Sequence, residues 1–143
     1  MPMIVLSLPT GVLDQDSRNS LRMTLAETLL HWEGAPDTDV FRALTWVRVD
    51  EVPDGGFGSL GDDLPRFRVD VTVPAGALSD RRKTGLVQQV TTDVLNAAGL
   101  EQADALRVWV LIHEQPDGTW GAGGGIIRLA DLVTVAKATK EQR

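Results

Sequence analysis

The sequence predicts an α+β domain: two tandem βαβ units that share one four-stranded sheet, with both helices on one face and short hairpin or edge strands beside it. Two observations carry this. Residues 46–58, WVRVDEVPDGGFG, and residues 109–121, WVLIHEQPDGTWG, hold Trp46/Trp109, Glu51/Glu114, Pro53/Pro116, Gly55/Gly118 and Gly58/Gly121 in register. Upstream, PMIVLSLPTGVL from Pro2 aligns with FRVDVTVPAGAL from Phe67, matching Pro9/Pro74, Gly11/Gly76 and Leu13/Leu78. A period of about 65 residues in two copies is too long and too few for a solenoid, so it reads as a duplicated, fused half-domain. Within each half an extended apolar segment, an amphipathic helix and a second extended segment follow in order, which is a βαβ unit.

Residues 3–8 form the first strand, and Pro9-Thr10-Gly11 breaks it. Asp14 suits an N-cap, and Leu21, Leu25, Leu29 and Trp32 recur at helical spacing until Gly34 supplies a stop. The second strand is expected at about 43–51. The second half repeats this with a strand at 67–73, Ser79 as N-cap, and Leu86, Val90, Val94 and Ala97 on the helix stripe before Gly99. Its closing strand is expected at about 107–114. The Gly-rich stretches at 54–63 and 121–132 lack phosphate-loop and dinucleotide-binding patterns and read as hairpin loops and short edge strands. The expected organisation is a single domain over 1–143, with repeats at 1–60 and 65–125, a Gly-rich linker and a short C-terminal tail.

Strand alternation separates two faces. Ile4, Leu6, Leu8, Val47, Val49, Val69, Val71, Val73, Val108, Val110 and Ile112 are uniformly apolar and belong under the helices. The other set mixes Met3, Val5, Trp46, Trp109 and Leu111 with Arg48, Asp50, Arg68, Asp70 and His113. Two tryptophans are too much apolar surface to leave in water, so a homo-oligomer that packs these faces inward is expected, with the charges pairing across the contact.

At 143 residues and 43% hydrophobic, the chain can bury one core, while either half alone would be marginal. A net charge of −6 argues against nucleic acid, whose binding rests on Lys and Arg. With no cysteine there is no disulfide, zinc–thiolate site or thiol nucleophile. Met1–Leu8 lacks the basic start and long apolar run of a secretion signal, and no segment reaches membrane-spanning length, so a cytoplasmic protein without a membrane partner is expected. His31 and His113 have no metal-ligand spacing, and neither metal nor other cofactor is expected.

Pro2 stands out chemically. If Met1 is removed, its secondary amine is an α-amino group, and burial beside apolar walls lowers the pKa of such a group towards neutrality. It can then act as general base or, when protonated, as general acid. The simpler reading is that a small second residue merely permits methionine removal, and a retained Met1 would turn the amine into an amide. Trp120, with the matching Phe57, reads as an apolar wall that lowers a pocket's dielectric or as an oligomer contact, and Ile127 could join that wall. Arg48, on the mixed face, reads as an ion pair with Asp50 or Asp70, or as a substrate clamp. Arg81 and Arg82 occupy the first turn of a helix, where the dipole disfavours cations; solvated charges or an anionic ligand would explain them.

The order strand from Pro2, helix, strand and Gly-rich hairpin resembles the tautomerase superfamily, the family of 4-oxalocrotonate tautomerase, with its tautomerase/MIF-like fold. The most specific pieces are Met1-Pro2, LSDRRKTGLVQQVTTDV from Leu78 and VWVLIHEQPDGTWGAGG from Val108. Among fused two-repeat members the likeness is to malonate semialdehyde decarboxylase and cis-3-chloroacrylic acid dehalogenase. The resemblance implies a homotrimer and an amino-terminal proline as catalytic group. The implied reaction is keto–enol tautomerisation, hydration or decarboxylation of a small 2-oxo or unsaturated carboxylic acid. It also places Asp39, in GAPDTDVFR from Gly34, where the decarboxylase has a catalytic aspartate that would orient water or polarise a carbonyl; the plainer reading is a turn former. WGAGGGIIRLADLV from Trp120 is similar to that enzyme's carboxy-terminal stretch. Leu13, Leu78 and Gly76 stand where the family presents carboxylate-gripping arginines, and Trp46 and Trp109 where 4-oxalocrotonate tautomerase has a catalytic one. A catalytically silent trimeric scaffold or small-molecule binder of the same fold is therefore the alternative.

Overall fold

The computed structural model describes residues 2–142. β1 (Met3–Pro9) leads to α1 (Gln15–Glu33), a short α2 (Asp39–Ala43) and β2 (Trp46–Val52). The second half follows with β3 (Phe67–Pro74), α3 (Asp80–Ala97), a 3-10 helix (Gln102–Arg107) and β4 (Val108–Gln115). A hairpin of β5 (Gly121–Ala122) and β6 (Gly125–Ile126) and a last helix, α4 (Leu129–Glu141), close the chain. The expected caps are in place. The Asp14 carboxylate accepts the Ser17 N–H at 2.7 Å, Ser79 Oγ accepts the Arg82 N–H at 3.3 Å, and Gly34 ends α1 at φ 69°, a left-handed conformation that glycine adopts without a Cβ clash.

The sheet runs β2-β1-β3-β4. Each βαβ unit contributes one parallel pair, with Met3 opposite Trp46 and Arg68 opposite Trp109, and the two units meet through antiparallel β1 and β3. This is the expected α+β sheet with helices on one face. The alternating residues of β1 and β3 are buried with Leu21, Leu25 and Leu29 of α1 and Leu86, Val90 and Val94 of α3 in one core. Between the two helices Thr28 donates to the buried Asp93 carboxylate at 2.6 Å, and Gln89 donates to its other oxygen at 2.9 Å, so this buried acid keeps its partners.

Two segments differ from the expected layout. β2 begins at Trp46 rather than about 43 because residues 39–43 are helical: Thr38 Oγ1 accepts the Phe41 N–H at 3.4 Å, and Phe41 is driven into the interior. Where a short tail was expected, Leu129, Leu132, Val133 and Ala136 fall at i, i+3, i+4 and i+7, the spacing of one helix face, and α4 lays that face on the body of the molecule. Among the described residues no helix is long and apolar enough to cross a membrane.

Candidate active site

Pro2 is buried at the head of β1, where its carbonyl accepts the Trp46 N–H at 3.2 Å and extends the β1–β2 ladder by one bond. Proline has no N–H to contribute to the sheet, so its nitrogen marks the end of the ladder. Met1, whose removal would free that nitrogen, lies outside the described residues. With Met3 opposite Thr72, the antiparallel register carries Pro2 alongside Val73 and towards Pro74.

Pro74 forms one wall of a cavity of about 290 Å³. Four structural pieces enclose it: the end of α1 with Glu33 and Gly34, Phe41 of α2, Gly76 and Ala77 after β3 with Arg82 of α3, and the apolar face of α4. α4 is held at both ends. Asp117 accepts the Leu129 N–H at 3.1 Å and pairs with Arg128 at 3.4 Å, while Lys140 Nζ donates to the Gly34 carbonyl at 3.3 Å.

Of the two cations at the start of α3, Arg81 is exposed and Arg82 has a structural partner. Its Nη1 donates to the Glu33 carbonyl at 3.0 Å, and its guanidinium lies against Gly34, where a Cβ would come within 2.9 Å of Nη2. The unfavourable start of α3 is thus offset by the negative end of α1. Arg82 is accordingly half-buried, not a freely solvated charge.

Glu33 shares this cavity with Arg82, Lys137 and Lys140. Burial pushes its carboxyl up to about 7. Among the described residues no side chain hydrogen-bonds or ion-pairs with this carboxylate, because Arg82 and Lys140 donate to backbone carbonyls of the α1 terminus instead. A carboxyl whose pKa is raised by folding stabilises the fold when protonated, and that contribution is lost as pH rises from the ordinary 4.5 through about 7. Glu33→Gln should therefore stabilise the protein by about 1–3 kcal/mol at pH 8, with the difference vanishing by about pH 4. Urea unfolding at the two pH values checks this, and an equal effect at both would show an ordinary carboxyl.

The residues singled out from sequence are only partly brought together. Asp39 is exposed in the first turn of α2 and is not a cavity wall, although Phe41 two residues on is. Trp120 and Ile127 are half-buried across the hairpin, with the Ile127 N–H donating to the Trp120 carbonyl at 2.9 Å; Leu129, two residues later, reaches the cavity. Arg48 lies exposed on the mixed sheet face, bonded to Asp50 at 3.0 Å, and does not line the cavity. On the same face Arg68 pairs with Asp70 at 2.9 Å and His113 reaches Asp70 at 2.7 Å, so these charges pair within one chain instead of awaiting a neighbour. Burial would raise the Asp70 pKa, but hydrogen bonds from His113 and Arg68 outweigh it and hold the carboxyl below its ordinary value. Trp46 and Trp109 remain 65% and 68% exposed. Sequence reasoning missed Glu33, Lys137 and Lys140; the apolar spacing of 129–136 was the signal that would have revealed α4 and, with it, this wall.

No family model matches the sequence, and no curated protein matches it. Solved structures do. N1, a member of the cis-3-chloroacrylic acid dehalogenase family, superposes with a TM-score of 0.76 at 20% identity, covering 98% of this chain and 96% of its own. Pt0534 inactivated by 2-oxo-3-pentynoate gives 0.75 at 20% identity over 96% and 98%. A fused 4-OT wild-type asymmetric trimer gives 0.72 at 21% identity over 87% and 94%. The fold is that of the tautomerase superfamily. In this tautomerase fold the two repeats have unlike heads: Phe67 holds the place in β3 that Pro2 holds before β1. Phe67 lines a separate, more apolar cavity of about 400 Å³ with Phe57, Leu106 and Trp109.

Proposed function

We propose that the chain is an acid–base enzyme in which the Pro2 amine, freed by loss of Met1, acts as general base or acid on a small 2-oxo or unsaturated carboxylic acid. The observation that carries this reading is the cavity walled by Pro74, one residue past the strand neighbour of the buried Pro2, which sets apolar walls from Phe41 and α4 against the cations Arg82, Lys137 and Lys140. Burial disfavours the ammonium form of Pro2, and the cations of the cavity favour a ligand carboxylate. A cavity of about 290 Å³ suits a molecule of a few carbons. The cationic wall supplies what Leu13, Leu78 and Gly76 do not, so carboxylate recognition would come from α3 and α4.

Asp39, two residues before the cavity wall Phe41, assists by orienting water or a carbonyl, and Trp120 and Ile127 contribute apolar surface, to their own site or to that of a neighbouring protomer. Arg48 serves the mixed face or a neighbour's substrate. The fused 4-OT relative is a trimer, and the exposed Trp46 and Trp109 support a homotrimer here, with those faces inward. The test is turnover of phenylenolpyruvate by protein whose intact mass shows Met1 removed. Retention of Met1 in the purified protein, or no turnover of phenylenolpyruvate and 2-hydroxymuconate by the processed form, would overturn the enzymatic reading and leave a binding or scaffolding protein.

A further inference from the structure

We propose that the Glu33 carboxyl is the proton-transfer partner of the Pro2 amine, delivering a proton to the substrate carbon while Pro2 takes one from the substrate oxygen. This rests on the reading of Pro2 given above and adds a residue that no sequence pattern marked. Three placements support it. Glu33 is the last residue of α1 and lines the cavity that has Pro74 as a wall, and Pro74 lies one residue past Val73, which the antiparallel register sets beside the buried Pro2. Its backbone is fixed by the Arg82 bond to its carbonyl and by the Lys140 bond to the next one, so the carboxyl is presented from a clamped helix end. The charged groups facing it from α3 and α4, Arg82, Lys137 and Lys140, are the cations of a carboxylate-binding wall, and Glu33 is the single acid among the described residues lining the cavity.

A carboxyl pushed up to about 7 is still largely protonated just below neutrality, the state a proton donor needs. In ketonisation of an enol, the Pro2 nitrogen accepts the hydroxyl proton and the oxygen's electron pair becomes the C=O bond. The C=C pair then takes the Glu33 proton. Proline ammonium and glutamate carboxylate exchange the remaining proton, and both groups return to their starting forms. No metal, oxidant or co-reactant is needed for this balance.

The same pair can be read without turnover by using 2-oxo-3-pentynoate as a covalent probe. Attack of the Pro2 nitrogen on C4 opens one π bond of the alkyne, the pair moves towards the ketone, and C3 takes the Glu33 proton. The carboxylate then removes the N–H proton, leaving a stable adduct with the mass of one reagent added. Labelling rates of the methionine-free protein are measured by intact and N-terminal-peptide mass from pH 5 to 9 for wild type, Glu33→Gln, Glu33→Asp and Pro2→Ala.

The expected result is a wild-type rate that falls as pH climbs through about 7. Glu33→Gln should be slower by about 100-fold at pH 6 and lose that alkaline limb, with Glu33→Asp restoring part of both. If Glu33→Gln labels Pro2 at the wild-type rate with an unchanged pH profile, the Glu33 role is overturned and the Pro2 reading stands. Labelling that maps to another residue, or that persists at the wild-type rate in Pro2→Ala, overturns the Pro2 reading and this one with it, as does a wild type that takes no label.

Discussion

Pro2→Ala is expected to lower turnover of phenylenolpyruvate by about 10²–10⁴-fold while leaving the unfolding midpoint nearly unchanged. Alanine keeps a free α-amine once Met1 is removed, so the comparison isolates the ring. The ring fixes φ, and with it the direction of the nitrogen at the end of β1; alanine lets that nitrogen rotate and lowers the fraction held in a productive pose. The ladder bond from the Trp46 N–H needs only the residue-2 carbonyl, which both residues provide, so the fold should survive. Kinetics on protein of verified mass and circular dichroism on the same sample separate the two effects. Turnover at the wild-type level in Pro2→Ala would remove the proline from the mechanism.

Trp46→Asp together with Trp109→Asp is expected to convert the proposed homotrimer to monomer at micromolar concentration, read by light scattering. Each indole is about two-thirds exposed in the single chain, on the sheet face that carries no helix. Burying a large apolar side chain is worth about 1.5–3 kcal/mol, and an aspartate forced into the same contact would add the larger penalty of an unpaired buried charge. Since Arg48, Arg68 and His113 already pair with Asp50 and Asp70 within the chain, no spare cation is ready to receive the new carboxylates. The Trp46 backbone bond to Pro2 is kept, so folding of the monomer is expected to persist. An unchanged mass would mean that the tryptophan face is not the contact.

Much of the layout was legible because strand and helix periods write themselves into the order of residues. The repeat, the two apolar faces and the caps at Asp14, Gly34 and Ser79 follow from local rules, and each appears in the structure. α2 and α4 were harder to see. The first is one turn long, held by Thr38 and by the burial of Phe41, and the second follows a glycine-rich run whose composition speaks for loops. Pro2 stands out in a repeat comparison because its counterpart is Phe67, whereas no repeat marks the walls of the cavity.

By itself, then, the sequence determined the duplicated βαβ order, the division of each strand into a buried and a mixed face, and the presence of a proline at one head only, since all three depend on spacing along the chain. The tertiary structure alone decided which side chains line the cavity. Glu33, Arg82 and Lys140 are separated by tens of residues and meet only because α1 ends where α3 begins and α4 folds back over both. The raised pKa of Glu33 is likewise absent from any local pattern: it arises from desolvation, a property of the enclosing walls rather than of the residue.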